Sequence, residues 1–177
     1  MELKRVILDN DGINRAIARI SYEILEHNKG TDNICLIGMY TRGVDIANRI
    51  ARKIFEIEGR LLPIGNLDIT NFRDDKKEEI AIDKSKIPFD IDDKKIILVD
   101  DVIFTGRSVR AAIDAIMQLG RPQKIELAVL IDRGHRELPI RADFVGKNLP
   151  TARTEKIKVK FKETDGEDQV LIIKEEV

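Results

Sequence analysis

Apolar residues recur along this chain in two periods, and the alternation between them outlines a fold. Ile13, Ala16, Ile17, Ile20, Ile24 and Leu25 stand at helical spacing. They predict a helix over 13–29, with Asp11 as cap and Gly30 as stop. Residues 34–39, Ile-Cys-Leu-Ile-Gly-Met, are apolar on both faces, the mark of a buried parallel strand. Helical spacing resumes through Val44, Ala47, Ile50, Ala51 and Ile54 and breaks at Gly59. A second strand is predicted over 61–69, interrupted by Gly65 and Asn66.

The pattern then changes. From Arg73 to Asp93 the chain is dense in charge and poor in large apolar residues. Residues 70–93 therefore read as a flexible ribbon or hood excursion, with edge strands expected at 80–82 and 88–91. Ile96-Ile97-Leu98-Val99 is the clearest central strand, followed by a helix over 108–119 that Gly120 and Pro122 stop. Further strands are expected at 125–131 and 143–145. In the tail, Ile157, Val159 and Phe161 alternate with lysines, Asp165-Gly166 supplies a turn, and 170–173 returns. That is an antiparallel hairpin. The order implies an α/β fold, a mainly parallel central sheet flanked by helices, with an antiparallel hood ribbon and C-terminal hairpin, in a single domain over 1–177.

Composition narrows the functions. One cysteine, Cys35, in 177 residues rules out an internal disulfide and argues against a Cys-rich zinc site. No basic start leads into an apolar run and no such run approaches 18 residues, so neither a secretory leader nor a membrane span is expected and the cytoplasm is the expected location. Lys plus Arg total 31 against 32 Asp plus Glu, a formal charge of -1. This excludes a globally basic surface and leaves a local one open.

The chemistry concentrates in residues 96–109. Four apolar residues bury a strand, and Asp100 and Asp101 arrive at its C-terminal end, where open α/β sheets place ligands. Neighbouring strand residues point to opposite faces. The pair serves one ligand only if the chain turns at Asp101 or the ligand spans the strand tip. Thr105-Gly106-Arg107-Ser108 then opens a helix, whose free N–H groups make an anion cradle. Acids for hydroxyls beside a nest for phosphate imply a sugar phosphate. An ordinary polar strand end followed by a helix cap would produce the same residues. A Walker-type loop is excluded, because Gly106 lacks the Gly-Lys-Ser/Thr ending, and Gly-x-Gly-x-x-Gly is absent.

Val99-Asp100-Asp101-Val102-Ile103-Phe104-Thr105-Gly106 resembles the phosphoribosyl-pyrophosphate signature of type I phosphoribosyltransferases. With residues 38–43, 68–75 and 132–143, the chain is similar to the bacterial pyrimidine-operon regulators, a bifunctional branch of that family, most clearly over 6–156. The resemblance implies ribose contacts from Asp100 and Asp101. It implies a 5-phosphate cradle at Thr105, Gly106, Arg107, Ser108 and Val109, and a pyrophosphate loop at Thr41 and Arg42. Arg42 would be catalytic with the two acids, since its fixed charge suits an oxygen-rich leaving group. Arg73 would reach pyrophosphate from the hood, with magnesium, carried by phosphoribosyl pyrophosphate, near Asp74 or Asp75. Without the resemblance, these charges read as solvated surface. Arg133 and Arg141 would lie over the base. Purine enzymes of the family carry an aspartate where this chain has Phe104, which favours uracil as the base.

A second function follows from the same resemblance. Arg15 and Arg19 share a helix face, and His135, Arg136, Arg141 and Lys147 follow in a basic stretch. Together they would hold a messenger RNA hairpin of the pyrimidine operon, in response to UMP or UTP. Exposed arginine pairs are also ordinary solvated faces. The family carries Thr and His where this chain has Ala18 and Tyr22; Tyr22 offers a ring to stack on a base but no imidazolium. The expectation is an RNA-binding attenuation regulator with secondary uracil phosphoribosyltransferase activity, assembled as a homodimer or higher. The alternative is a dedicated uracil phosphoribosyltransferase without RNA binding.

Overall fold

The structure, a computed structural model, describes residues 2–75 and 79–175. In chain order the elements are β1 (Glu2–Leu8), α1 (Asn10–Asn28), β2 (Ile34–Met39), α2 (Arg42–Glu58), β3 (Ile64–Leu67), a 3-10 turn (Thr70–Phe72), β4 (Lys95–Ile103) and α3 (Arg107–Leu119). Then come β5 (Lys124–Asp132), β6 (Phe144–Asn148), β7 (Glu155–Lys160), the single turn α4 (Lys162–Asp165) and β8 (Gln169–Glu175).

A five-stranded sheet runs in the order β3-β2-β4-β5-β6, and every pairing in it is parallel. Strand residues alternate between two cores. Leu36, Ile97, Val99, Ala128 and Leu130 face α1 and α2. Cys35, Ile37, Ile96, Leu98, Leu127 and Val129 face α3. This is why the central strands read as unbroken apolar runs: both faces are covered. The lone thiol sits in the second core, where burial pushes the Cys35 pKa up to about 11, so it is a packing group and not a nucleophile.

Helix boundaries differ from the expected ones through their caps. Asp9, not Asp11, caps α1, its Oδ1 accepting the Gly12 N–H at 2.8 Å. Lys29 adopts the left-handed conformation and Gly30 N–H bonds Leu25 O at 2.9 Å, so the stop lies one residue before the expected glycine.

Two larger differences concern the antiparallel parts. The C-terminal hairpin forms as β7 and β8, and β1 adds to it as a third strand in the order β1-β8-β7. The hood is therefore a sheet built from both ends of the chain, packed through Val159, Phe161 and Val170 on the α1–α2 core. The ribbon at 70–93, of which 76–78 lie outside the described residues, forms no strand at 80–82 or 88–91. Instead the Asn71 side-chain amide takes the Ala81 C=O at 2.8 Å and the Ala81 N–H at 2.9 Å. Asp68 accepts the Lys84 N–H, and Phe89 and Ile91 tuck into the α3-side core. Side chains take up backbone groups that a neighbouring strand would otherwise pair. No helix among the described residues is long and apolar enough to cross a membrane.

Candidate functional site

The β4 tip carries the acids as expected, but the strand does not turn at Asp101; it continues to Ile103. The Asp101 N–H leaves the ladder and donates to Asp100 Oδ1 at 2.8 Å, and the Val102 N–H donates to Asp101 Oδ1 at 2.8 Å. Both carboxylates line one cavity of about 480 Å³, with Tyr40, Thr41, Thr70, Arg73, Lys84 and Ser108. A ligand there spans the strand tip. Asp100 is 9% exposed, and burial followed by the neighbouring charge of Asp101 holds its pKa well above the usual carboxylate range.

The floor of this cavity exists because two glycines let backbones meet. A Cβ on Gly38 would stand 2.6 Å from the Gly43 carbonyl oxygen, and one on Gly43 would stand 2.5 Å from the Val99 carbonyl oxygen. The β2–α2 loop, with a cis Tyr40–Thr41 peptide, thus lies directly against the β4 tip. At the head of α3, Gly106 has φ +91°. The Arg107 N–H meets Thr105 Oγ1 at 3.3 Å, and a helix start leaves its first N–H groups without partners inside the helix, which is what an anion cradle needs. The Val109 side chain is buried in the core, which leaves only its backbone for the expected role.

The arginines divide sharply. Arg73 lines the cavity and pairs with Asp75 through Nε and Nη2 at 2.8 and 2.7 Å. Arg42 does not line it; its Nη2 donates to Asp165 Oδ1 at 2.9 Å in the turn before β8. Arg133, 7% exposed, donates to Thr151 Oγ1, Ala152 O and Glu155 O and lies 4.0 Å above the Phe104 ring. Burial lowers its pKa. Arg136 spends its guanidinium on Ile140 O, Phe104 O and Asp132 Oδ2. The His135 ring meets Thr151 O and packs edge-on to Phe104. These groups bond within the chain and brace the 132–141 loop.

On the opposite edge, α1 packs against β6. Arg19 Nη2 contacts the Val145 and Gly146 carbonyls and Arg19 pairs with Glu23 at 3.6 Å. Arg15, Tyr22, Arg141 and Lys147 are exposed. The larger groove of about 690 Å³ on the α1–α2 face is walled by the ion pairs of Arg49 with Glu163 and Asp168 and holds no acid pair of the β4 kind.

Asp74 and Asp75 are already partnered, by Arg107 and Arg73, and no group of three metal-ligating side chains occurs among the described residues. No cationic side chain among them pairs with Asp100 or Asp101. An uncompensated carboxylate pair in a cavity fits a magnesium ion delivered on substrate phosphates, which needs only one or two protein acids. Sequence reasoning missed Lys84 and Asp68 at this site. Lys84 arrives through the fold-back of the ribbon, and no local motif marks it.

The family model of the phosphoribosyl transferase domain matches residues 5–164. The chain is 57% identical over 177 residues to the bifunctional protein PyrR of Bacillus cereus (strain B4264), spanning 97% of this chain and 98% of that protein. The bifunctional protein PyrR of Bacillus anthracis (strain A0248) matches to the same extent. The chain belongs to the PyrR family of phosphoribosyltransferases. Among solved structures, the hypoxanthine phosphoribosyltransferase of Trypanosoma cruzi superposes with a TM-score of 0.75 at 15% identity, covering 97% of each chain. That of Staphylococcus aureus gives 0.69 at 15%, covering 85% and 79%. At that identity the likeness is one of fold, the type I phosphoribosyltransferase fold. The family model's match spans both Asp100 and Asp101 and the head of α3.

Proposed function

We propose that this PyrR-family chain is an RNA-binding regulator of pyrimidine operon expression by transcriptional attenuation, responsive to uridine nucleotides. It carries a secondary uracil phosphoribosyltransferase activity, joining uracil to phosphoribosyl pyrophosphate to give UMP and pyrophosphate. The observation that carries this reading is the paired Asp100 and Asp101 in one cavity with the α3 cradle, inside a chain 57% identical to bifunctional relatives along nearly its whole length.

Asp100 and Asp101 take the ribose hydroxyls. The backbone of Thr105–Val109 takes the 5-phosphate. The backbone of Thr41–Gly43, with Arg73 and Lys84, faces pyrophosphate. Bond exchange at C1 breaks the bond to pyrophosphate and forms the bond to uracil N1, whose proton leaves to solvent. Positive character grows on the ribose above the acids, and negative charge grows on the leaving oxygens beside Arg73 and Lys84. Asp101, rather than the ion-paired Asp74 and Asp75, would be the protein acid that helps hold a substrate-borne magnesium ion, which when bound would supply Lewis-acid charge to the leaving group. Phe104 supplies no carboxylate to the base, consistent with a pyrimidine and a modest rate.

For RNA, the exposed Arg15, Tyr22, Arg141 and Lys147 form the contact set, with Arg19 anchoring α1 to the β6 edge; a homodimer would present two such edges. The runner-up, a dedicated uracil phosphoribosyltransferase, is favoured by the internal engagement of Arg136 and His135. Titration of the operon leader hairpin over a salt series, with and without UMP, separates the two. The regulator binds the cognate hairpin over a scrambled one, more tightly with UMP and more weakly as salt rises. Equal weak binding of both RNAs would leave only the enzyme.

A further inference from the structure

The cradle at the head of α3 is roofed by carboxylates of the chain itself. Thr105, Arg107 and Ser108 share a recess of about 180 Å³ with Arg73, Asp74 and Asp75. Asp74 Oδ2 accepts from Arg107 Nη1 at 2.5 Å, and Glu137 Oε1 accepts from Arg107 Nε at 3.1 Å. Asp75 grips Arg73 through both its oxygens. A carboxylate on a guanidinium fork occupies the positions that phosphate oxygens take on the same fork. Both arginines that face the recess are thus neutralised where a ligand phosphate would meet them.

The two carboxylates on Arg107 differ in anchorage. Glu137 is fixed to the cradle, since its N–H and that of Leu138 bond the Thr105 carbonyl at 2.9 and 3.2 Å. Asp74 belongs to the exposed segment that follows the 3-10 turn. Of the two, Asp74 is the one able to move aside while Arg107 stays in place.

We propose that Asp74 and Asp75 are internal stand-ins for ligand phosphate, setting the affinity and specificity of the pocket by competing for Arg107 and Arg73. A ribose 5-phosphate displaces Asp74 from Arg107, the pyrophosphate of phosphoribosyl pyrophosphate displaces Asp75 from Arg73, and the two together release the 73–75 segment; an unphosphorylated nucleoside contests neither. The proposal rests on the reading of the α3 head as a phosphate cradle.

Calorimetric titration of the full chain with UMP, and with uridine as the phosphate-free probe, tests it. The exposed Asp74→Asn, Asp75→Asn double variant is compared with wild type. Asp114→Asn, which removes one carboxylate charge paired with Arg110 further along α3, measures the effect of bulk charge per carboxylate removed, of which the double variant loses two. The double variant binds UMP roughly three- to fivefold tighter, the scale of an exposed ion pair. Uridine affinity and the Asp114→Asn variant stay at wild-type values. UMP affinity that is unchanged or weaker in the double variant, while wild type binds UMP, overturns the stand-in role alone. Tightening matched by Asp114→Asn reduces the effect to bulk charge and overturns it as well. Failure of wild type and variant alike to bind UMP removes the cradle, and the proposal with it.

Discussion

Arg42, which opens α2, donates to Asp165 in the turn before β8 across 2.9 Å. The bond ties the loop beneath the cavity to the turn between β7 and β8 and engages the guanidinium within the chain. Its Nε is buried without a partner. Arg42→Ala is therefore expected to act on stability more than on substrate. The midpoint of thermal unfolding falls by about 2–4 °C, the equivalent of roughly 1 kcal/mol at this size. KM for phosphoribosyl pyrophosphate moves less than about twofold. A tenfold rise in KM with an unchanged midpoint would return Arg42 to the pyrophosphate site.

Asp101 faces the cavity and makes no ion pair among the described residues. Asp101→Asn keeps the shape and removes the charge that meets the developing positive ribose. UMP formation falls about a hundredfold, with an unfolding midpoint within about 2 °C of wild type. Steady-state kinetics and a thermal melt on the same preparation decide it.

Gly43 stands where the β2–α2 loop crosses the β4 tip, and an added Cβ meets backbone at 2.5 Å from Val99 O and 3.2 Å from Asp100 Cα. Backbone has little room to yield. Gly43→Ala costs roughly 1–3 kcal/mol of stability and moves the acids, so KM for phosphoribosyl pyrophosphate rises together with the loss in midpoint.

Arg49 bonds Asp168 and Glu163 beneath the hood and lies 4.7 Å over the Phe161 ring. Hydrogen bonds from its guanidinium, with its charge adding to them, hold both carboxylates below their usual range. A lowered carboxylate pKa gives stability that is present above the unfolded value, near 4, and is lost as pH falls through the folded one. Wild type therefore loses stability on acidification from about pH 5 downward. Arg49→Ala lowers the midpoint at pH 7 by roughly 4–8 °C, on the order of 2 kcal/mol, and flattens the acid limb. Parallel acid limbs in wild type and variant would remove the cluster from the pH dependence.

Two arginines that the sequence places in the RNA set, Arg15 and Arg136, separate contact from bracing. Arg15 is exposed, so Arg15→Ala weakens hairpin binding and lowers the salt slope by about one phosphate contact, with no change in midpoint. Arg136 closes the 132–141 loop onto Phe104 O, Ile140 O and Asp132. Arg136→Ala lowers the midpoint and the uracil affinity together. Filter binding over a salt series and thermal melts distinguish the two.

The sequence alone determined whatever depends on neighbours a few residues away. The central strands read correctly because burial on both faces demands unbroken apolar runs. The acid pair at the strand tip and the Thr105–Ser108 turn into a helix start were legible as local structure because strand tip, glycine and helix start follow one another directly. Tertiary structure decided where the charged donors are spent. Arg42 reaches Asp165, Arg133 reaches Glu155 O, and Arg19 reaches the β6 edge; Arg107 is held between Asp74 and Glu137. The hood likewise depends on β1 finding β8, and the ribbon loses its strands because Asn71 meets Ala81. A guanidinium carries the same charge and donors wherever it stands. Whether it meets a ligand or the chain's own oxygens is fixed only when distant segments close on one another.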